Sequence, residues 1–407
     1  MCILGAGPGG CTAALHLANR GIPSVLLDKA VFPRDKICGD ALSGKVVNEL
    51  RRISPQLVAR LDASALQLPS WGIHFVSPNM HRLSVPFRYR YDKATDPTPG
   101  YLARRMDFDN FLVEEVRHHS IIDFREGADV TGFAREEGRF VLMDATGKRL
   151  LATRLLIVAN GAYSSFTRHV AGVTMEPEHY CAGLRAYYRG VQGMDTDGFI
   201  ELHFYRDFLP GYLWIFPLPG GYANVGVGML SASIRRKKVN LKKAMLETLA
   251  THPQLRERFA GAERMGEIQG YGLPLGSRPR PLSGDNYLLV GDAASLIDPF
   301  TGEGISNAMI SGRWAAEQAA ASLQAQNFSA AFLRAYDQSV YNRLAKELRL
   351  SRRLQRLLEY PWLFNFLAAR AARNATLAET LSCMLLDLDL RARLKQPSFY
   401  LKLLLNR

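Results

Sequence analysis

Cysteine is scarce in this chain: Cys2, Cys11, Cys38, Cys181 and Cys383 are the only five in 407 residues. Their number is odd and no two stand in a C-x-x-C spacing. That excludes a zinc ribbon and a dithiol redox motif and points to reduced thiols in a cytosolic compartment. Long apolar runs are missing too. No stretch reaches the roughly 18 residues of a spanning helix. The apolar start runs straight into a glycine loop, which argues against a signal peptide. Met1 to Leu4 is short for a first strand, so a few residues are expected to be missing upstream. The histidines show no H-x-x-x-H spacing, His118-His119 reads as surface at a helix end, and no metal site is inferred. Repeats and low-complexity segments are lacking, and no Ser/His/Asp set can be assembled.

Acidic residues are in deficit. The formal net charge is +13 and the sequence pI is near 9.6. From Tyr341 to Arg407 there are 13 Lys/Arg against 5 Asp/Glu, a net of +8. Nucleic acid or an anionic membrane would meet such a surface, and so would plain solvent.

What is present begins with a βαβ pattern. Cys2-Ile3-Leu4 reads as a strand, Thr12 to Asn19 as a helix, and Ser24 to Asp28 as a second strand. Short alternating stretches within 66–100 read as strands of another sheet. Phe108 to His118 is amphipathic. Arg139 to Ala145 and Arg149 to Ala159 read as a hairpin ending in a buried strand. Residues 180–230, rich in aromatic and β-branched side chains, predict an antiparallel sheet. Tyr287 to Val290 is a further buried strand, with a helix from about Gly304 to Gln324. The pattern from Ser329 is helical to the end, broken at Pro361 and Pro397.

The loop Gly5-Ala6-Gly7-Pro8-Gly9-Gly10 is G-x-G-x-x-G between a strand and a helix, the context in which that motif binds a dinucleotide. Its glycines let backbone approach a pyrophosphate, and the helix N-terminus presents free N–H groups. Asp28 closes the second strand 18 residues past Gly10, where an acid bonds the adenosine ribose. Either NAD or FAD would suit these residues alone.

Two further segments point to FAD. Leu288-Leu289-Val290-Gly291-Asp292-Ala293-Ala294, followed by Asp298-Pro299-Phe300-Thr301-Gly302-Glu303-Gly304-Ile305, resembles FAD enzymes of the p-hydroxybenzoate hydroxylase-like group. The resemblance implies that Asp292 contacts the ribityl chain and that the helix start near Gly304 and Ile305 faces the pyrimidine end of the flavin. Leu155 to Arg168 resembles the strand-Ala-Asp-Gly-x-x-Ser-x-x-Arg fingerprint of that group. This chain carries Asn160 where Asp is usual, which weakens any role of that loop in handling a nicotinamide nucleotide.

A narrower resemblance, over roughly residues 2–320, is to the geranylgeranyl reductase family. It rests on Lys36-Ile37-Cys38-Gly39-Asp40-Ala41-Leu42-Ser43 and on Arg105 with Phe108 and Leu112. It rests equally on Tyr212-Leu213-Trp214-Ile215-Phe216-Pro217, followed after eight residues by Gly226-Val227-Gly228. The resemblance implies cofactor contacts at Gly5, Gly7, Pro8, Gly9, Gly10, Asp28, Lys29, Cys38, Gly39, Ala41, Arg105, Ala128, Gly161, Asp292, Gly302, Gly304 and Ile305. Cys38 is the implied catalytic residue, against the plain alternative of a buried thiol. Tyr212, Trp214 and Phe216 alternate on one strand and so share a face. They form either an apolar substrate wall or ordinary core.

The expected fold is α/β: a split Rossmann-type FAD-binding domain with an inserted antiparallel β-sheet substrate domain and a C-terminal helical region. The boundaries drawn are 1–65, 101–165 and 266–325 for the FAD-binding domain, 66–100 and 166–265 for the substrate domain, and 326–407 for the helical region. The expected function is an FAD-dependent oxidoreductase that reduces carbon–carbon double bonds of an isoprenoid or other apolar substrate. No second G-x-G-x-x-G follows a strand, so NAD(P)H or a reduced electron-carrier protein is expected to visit as donor. The alternatives are a hydroxylase or epoxidase on the same fold, and a non-catalytic flavin-binding scaffold. A halogenase is set aside, because no Lys occurs between Lys45 and Lys93. The location expected is cytoplasmic, at the inner face of the membrane, with peripheral contact through the basic tail and the apolar runs 361–367 and 398–405. Nucleic acid is not expected as a partner.

Overall fold

A computed structural model describes residues 1–88, 91–362 and 365. The chain divides into two units. Among the described residues, the first holds 1–36, 105–180 and 272–352, and the second holds 37–88, 91–104, 181–271 and 353–362. The boundaries differ from those drawn on the sequence. Residues 37–65, expected with the cofactor domain, group with the second unit, where Ala41–Leu42 pairs with Tyr101–Leu102. Residues 166–180 and the first part of the C-terminal region group with the first unit. The long helix Ala330–Leu357 is tied there by Tyr336, which is fully buried and donates to the Leu289 carbonyl at 2.5 Å. The apolar run 398–405 and most of 361–367 lie outside the described residues.

The first unit is built on a six-stranded sheet in the order 283–284, 287–289, 156–158, 2–4, 24–27, 122–125. All pairs are parallel except the edge pair 283–284 with 287–289. Its central strands are almost wholly apolar, Cys2-Ile3-Leu4 and Leu156-Ile157-Val158 among them, as a sheet covered on both faces requires, while the edge strand Ile122–Arg125 carries Asp123 and Arg125. Helix Pro8–Ala18 crosses helix Ile305–Ala325. A Cβ on Gly312 would lie 2.2 Å from the Gly9 carbonyl oxygen, so the crossing needs glycine. A separate three-stranded antiparallel sheet, 149–153, 139–143 and 132–136, is the expected hairpin with one more strand.

The second unit is built on a seven-stranded sheet in the order 263–274, 180–189, 222–230, 212–218, 200–203, 72–76, 82–86. It departs from the antiparallel expectation at one pair: Ile200–His203 runs parallel to Gly72–Val76, which arrives from a distant segment. One face carries Leu213, Ile215, Val225, Val227, Met229, Ala186 and Tyr188, packed with Leu241, Met245 and Leu249. Those last three stand at i, i+4 and i+8, the single face of helix Leu241–Thr251. Helices Gly44–Ile53 and Pro55–Asp62 were not anticipated from sequence. Among the described residues no helix is long and apolar enough to cross a membrane.

Candidate functional site

In the first unit the motifs converge at the carboxyl ends of neighbouring parallel strands, where open α/β sheets bind ligands. Gly5 follows strand Cys2–Leu4, Asp28 follows Ser24–Leu27, Asn160 follows Leu156–Val158, and Gly291-Asp292 follow Tyr287–Leu289. Gly5 has φ +103°, and a Cβ there would stand 2.5 Å from the Ala159 carbonyl oxygen. A Cβ on Gly10 would stand 1.8 Å from the Gly5 carbonyl oxygen, and one on Gly9 2.7 Å from Val290 Cγ1. Gly5 and Gly10 are therefore required by the turn itself, and Gly9 by its packing against Val290 and, at 3.0 Å, the Ala308 carbonyl oxygen. Gly7 is different: a Cβ there meets only Arg34 Nη2, at 3.7 Å. Its open side is the side a ligand can approach. Pro8 occupies the first helical turn, and no side chain caps the helix or places an acid there. Its first N–H groups are left to an anion.

Asp28 is nearly buried. Its Oδ2 accepts from the Ala6 N–H at 2.6 Å and its Oδ1 from the Ala30 N–H at 2.8 Å. Each oxygen retains a lone pair for a ribose hydroxyl. The Ala128 N–H donates to the Asp28 carbonyl at 2.8 Å, fixing the strand end, while Lys29 is exposed. Asn160 Oδ1 is buried without a hydrogen-bond partner. An orphaned acceptor beside the glycine turn is what a polar ligand would satisfy. Gly161 has φ +85° and passes the chain to Ser164, which accepts from the Thr167 N–H at 3.0 Å.

Asp292 sits at the N-terminus of the second nucleotide helix. A Cβ on Gly304 would come within 3.3 Å of Asp292 Oδ1 and 3.2 Å of Ile297 Cγ1. Lys36 Nζ lies 3.4 Å from Asp292 Oδ2. The loop before Ile305 is pinned by Asp298, whose Oδ1 accepts from the Phe300 and Thr301 N–H groups at 2.9 and 2.8 Å. Gly302 takes φ +72° there, and helix Ile305–Ala325 starts without a side-chain cap. Glycine cradles, two uncapped helix starts, two carboxylates and an orphaned amide oxygen together fit FAD.

Arg105 is buried, with Nε and Nη2 each 2.7 Å from the Asp109 carboxylate. Arg34 reaches the same carboxylate at 2.7 Å. Burial opposes the charge on Asp109, but the Arg105 and Arg34 guanidiniums outweigh it and hold the acid below the usual range. Sequence reading missed Arg34, whose second Nη points to Gly7. Its only signal was a basic residue soon after the βαβ unit. Cys2 and Cys11 are inert packing: burial pushes Cys2 up to about 12 and Cys11 well above its ordinary value.

Cys38, Gly39 and Ala41 belong to the second unit, together with the aromatic row. On strand Tyr212–Leu218, Tyr212, Trp214 and Phe216 stand directly opposite Gly228, Gly226 and Asn224. Their neighbours Leu213 and Ile215 belong to the core cluster, so the rings face the other side of the sheet. The Trp214 indole lies over its glycine: a Cβ on Gly226 would stand 2.2 Å from Trp214 Cζ2. The two halves of the sequence signature are thus one cross-strand lattice in which glycine makes room for the rings. Gly39 lies on the same surface, since a Cβ there would be 3.0 Å from Phe216 Cε2.

The FAD binding domain family model matches residues 1–188. A menaquinone reductase of Mycobacterium tuberculosis is 29% identical over 375 residues, 88% of this chain and 84% of the relative. Digeranylgeranylglycerophospholipid reductase 1 of Methanopyrus kandleri is 30% identical over 349 residues, 82% of this chain and 84% of the relative. The solved structure of a geranylgeranyl bacteriochlorophyll reductase-like protein from Thermoplasma acidophilum shares the fold. It has a TM-score of 0.79 over 94% of each chain at 22% identity.

Proposed function

The chain belongs to the geranylgeranyl reductase family of FAD-dependent oxidoreductases, and on that premise we propose that it reduces carbon–carbon double bonds of an isoprenoid chain. The observation that carries this reading is the aromatic row, turned away from the core cluster, with Tyr212 and Trp214 set opposite glycines. Such a face offers an apolar chain flat ring surface and asks for no hydrogen bonds in return. The two relatives are named as reductases of menaquinone and of a digeranylgeranyl lipid, and both names denote molecules with isoprenoid chains.

FAD, when bound and reduced, supplies a hydride for one alkene carbon, and a proton completes the other. The residues of the first unit would hold it. The uncapped start of helix Pro8–Ala18 and Arg34 would take the pyrophosphate, Asp28 the adenosine ribose, and Asp292 a ribityl hydroxyl. The N–H groups at Ile305 would stabilise negative charge at the pyrimidine end. The electron donor is NAD(P)H or a reduced carrier protein that visits and leaves.

Anaerobic incubation of the reduced holoprotein with prenylated quinones and geranylgeranyl lipids tests the reading. Mass spectrometry should show a gain of two hydrogens per reduced bond. Unchanged substrates under these conditions, with an oxygenated product once air is admitted, would replace the proposal with a monooxygenase.

A further inference from the structure

Asn224 is fully buried on strand Tyr222–Leu230, opposite Phe216 on one neighbour and Tyr187 on the other. A buried amide on an otherwise apolar strand is costly unless each polar atom is paired. Here each is. Its Oδ1 accepts from Trp214 Nε1–H at 2.8 Å. Its Nδ2 donates to the Cys38 carbonyl at 2.7 Å and to Asp40 Oδ2 at 2.7 Å. The indole N–H can only donate, which fixes the amide's orientation and aims both its hydrogens at acceptors. Aspartate would set a carboxylate against two acceptors, and leucine would fill the space while pairing with none.

The loop it grips is itself shaped for the purpose. Asp40 is fully buried at φ +67°, a conformation that Asp and Asn adopt more readily than other side chains. Its carboxylate also accepts from Tyr187 Oη at 2.9 Å, and its carbonyl accepts from the Ala103 N–H at 3.0 Å. Between Cys38 and Asp40, Gly39 brings backbone within reach of both rings. Its Cβ position is 3.0 Å from Phe216 and 3.8 Å from Trp214 Nε1.

We propose that Asn224 is a positioning residue of the substrate wall, joining the Cys38–Asp40 loop to the Trp214 ring as one surface. The proposal rests on the reading of the aromatic row as that wall. Asn224 acts through Trp214 and Cys38 and needs no contact of its own with substrate.

The test uses FAD-loaded protein and three variants: Asn224→Leu, Asp40→Asn and Trp214→Phe. Alkylation of each cysteine by iodoacetamide is followed by peptide mass spectrometry. Isoprenoid turnover and FAD per chain are measured alongside. Asn224→Leu should keep its FAD and leave Cys2 and Cys11 protected. Releasing the loop should raise the Cys38 alkylation rate roughly tenfold, with a rise in KM that exceeds any fall in kcat. Asp40→Asn preserves an acceptor and the left-handed backbone, so its Cys38 rate should stay within about twofold of the parent. Trp214→Phe leaves the loop's own bonds intact and should raise KM without releasing Cys38. A Cys38 rate in Asn224→Leu that matches the parent overturns the proposal, as does exposure of Cys2 and Cys11 in step with Cys38. Should Asn224→Leu fail to fold, Asp40→Ala replaces it: the rate must rise there and not in Asp40→Asn, and equal rates overturn the idea. If no isoprenoid is reduced even by the parent, the functional reading falls, while the alkylation rates still decide whether Asn224 holds the loop.

Discussion

Replacing Asp292 with alanine is the sharpest probe of the cofactor site. The carboxylate is only 11% exposed and is wedged against Gly304 at a helix start, with Lys36 3.4 Å from Oδ2. A hydrogen bond to a charged partner is worth about 1.5–3 kcal/mol, so losing the ribityl contact should weaken FAD roughly 10- to 150-fold. Removing the acid also leaves Lys36 without that counter-charge, and a double-mutant cycle separates the two effects. Lys36→Met alone keeps the carboxylate and should cost far less affinity than Asp292→Ala. Combining them should add little to Asp292→Ala if Lys36 acts only by orienting the acid. FAD titration into apoprotein, followed by flavin fluorescence quenching, gives each Kd, and thermal unfolding of the apoproteins shows whether the fold survives. A Kd for Asp292→Ala within about twofold of the parent, with the apoprotein intact, would refute the assignment of Asp292 to the flavin chain.

Other consequences are equally direct. Arg34→Met should weaken FAD roughly tenfold, since it deletes one charge-assisted contact at the glycine turn. An unchanged titration would leave Arg34 as a partner of Asp109 alone. Trp214→Ala should cut isoprenoid turnover more than FAD content, and loss of both in step would mean that the ring is core. Gly226→Ala should destabilise the protein by about 1–3 kcal/mol by overpacking, because its Cβ would meet both Trp214 and, at 2.3 Å, the Leu184 carbonyl oxygen; denaturant unfolding reads this out. Burial opposes ionisation of Glu201, but hydrogen bonds from His203 and the Arg258 guanidinium outweigh it and hold the acid at about 2. Its stabilisation, about 3 kcal/mol at 1.36 per unit, is full above the unfolded value near 4.5 and drains away as pH falls towards about 2. Urea unfolding across that window should show the loss in the parent and much less of it in Glu201→Gln.

The nucleotide motifs of the first unit were legible because their demands are local. A glycine turn between a strand and a helix, an acid ending the next strand and Gly-Asp ending another each announce themselves within a few residues. Residues whose roles depend on distant partners were not legible. Arg34 gains meaning from Asp109, 75 positions away, and Asn224 from Cys38, 186 positions away. Asn160 shows the limit from the other side. Sequence registered it as a departure from Asp, and only the fold reveals an amide oxygen left unsatisfied beside Gly5.

Domain boundaries failed for a related reason, visible at two chain crossings. The segment Lys36-Ile37-Cys38-Gly39-Asp40 is continuous as a motif, but the chain passes between units within it. Lys36 reaches Asp292 in the cofactor unit, while the Cys38 carbonyl and the Asp40 carboxylate are held by Asn224 in the other. Arg104 and Arg105 divide in the same way. The Arg104 guanidinium lies over the Tyr222 ring at 4.2 Å in the second unit, and Arg105 grips Asp109 in the first. A motif that straddles a crossing constrains both sides with a handful of residues, so its continuity invites the reading that it lies inside one domain. Borders at 65/66 and 100/101 followed from the alternating stretches of 66–100, read as strands of another sheet. The crossings at 36/37 and 104/105 follow from which partner each side chain finds, and that information is carried by residues far along the chain.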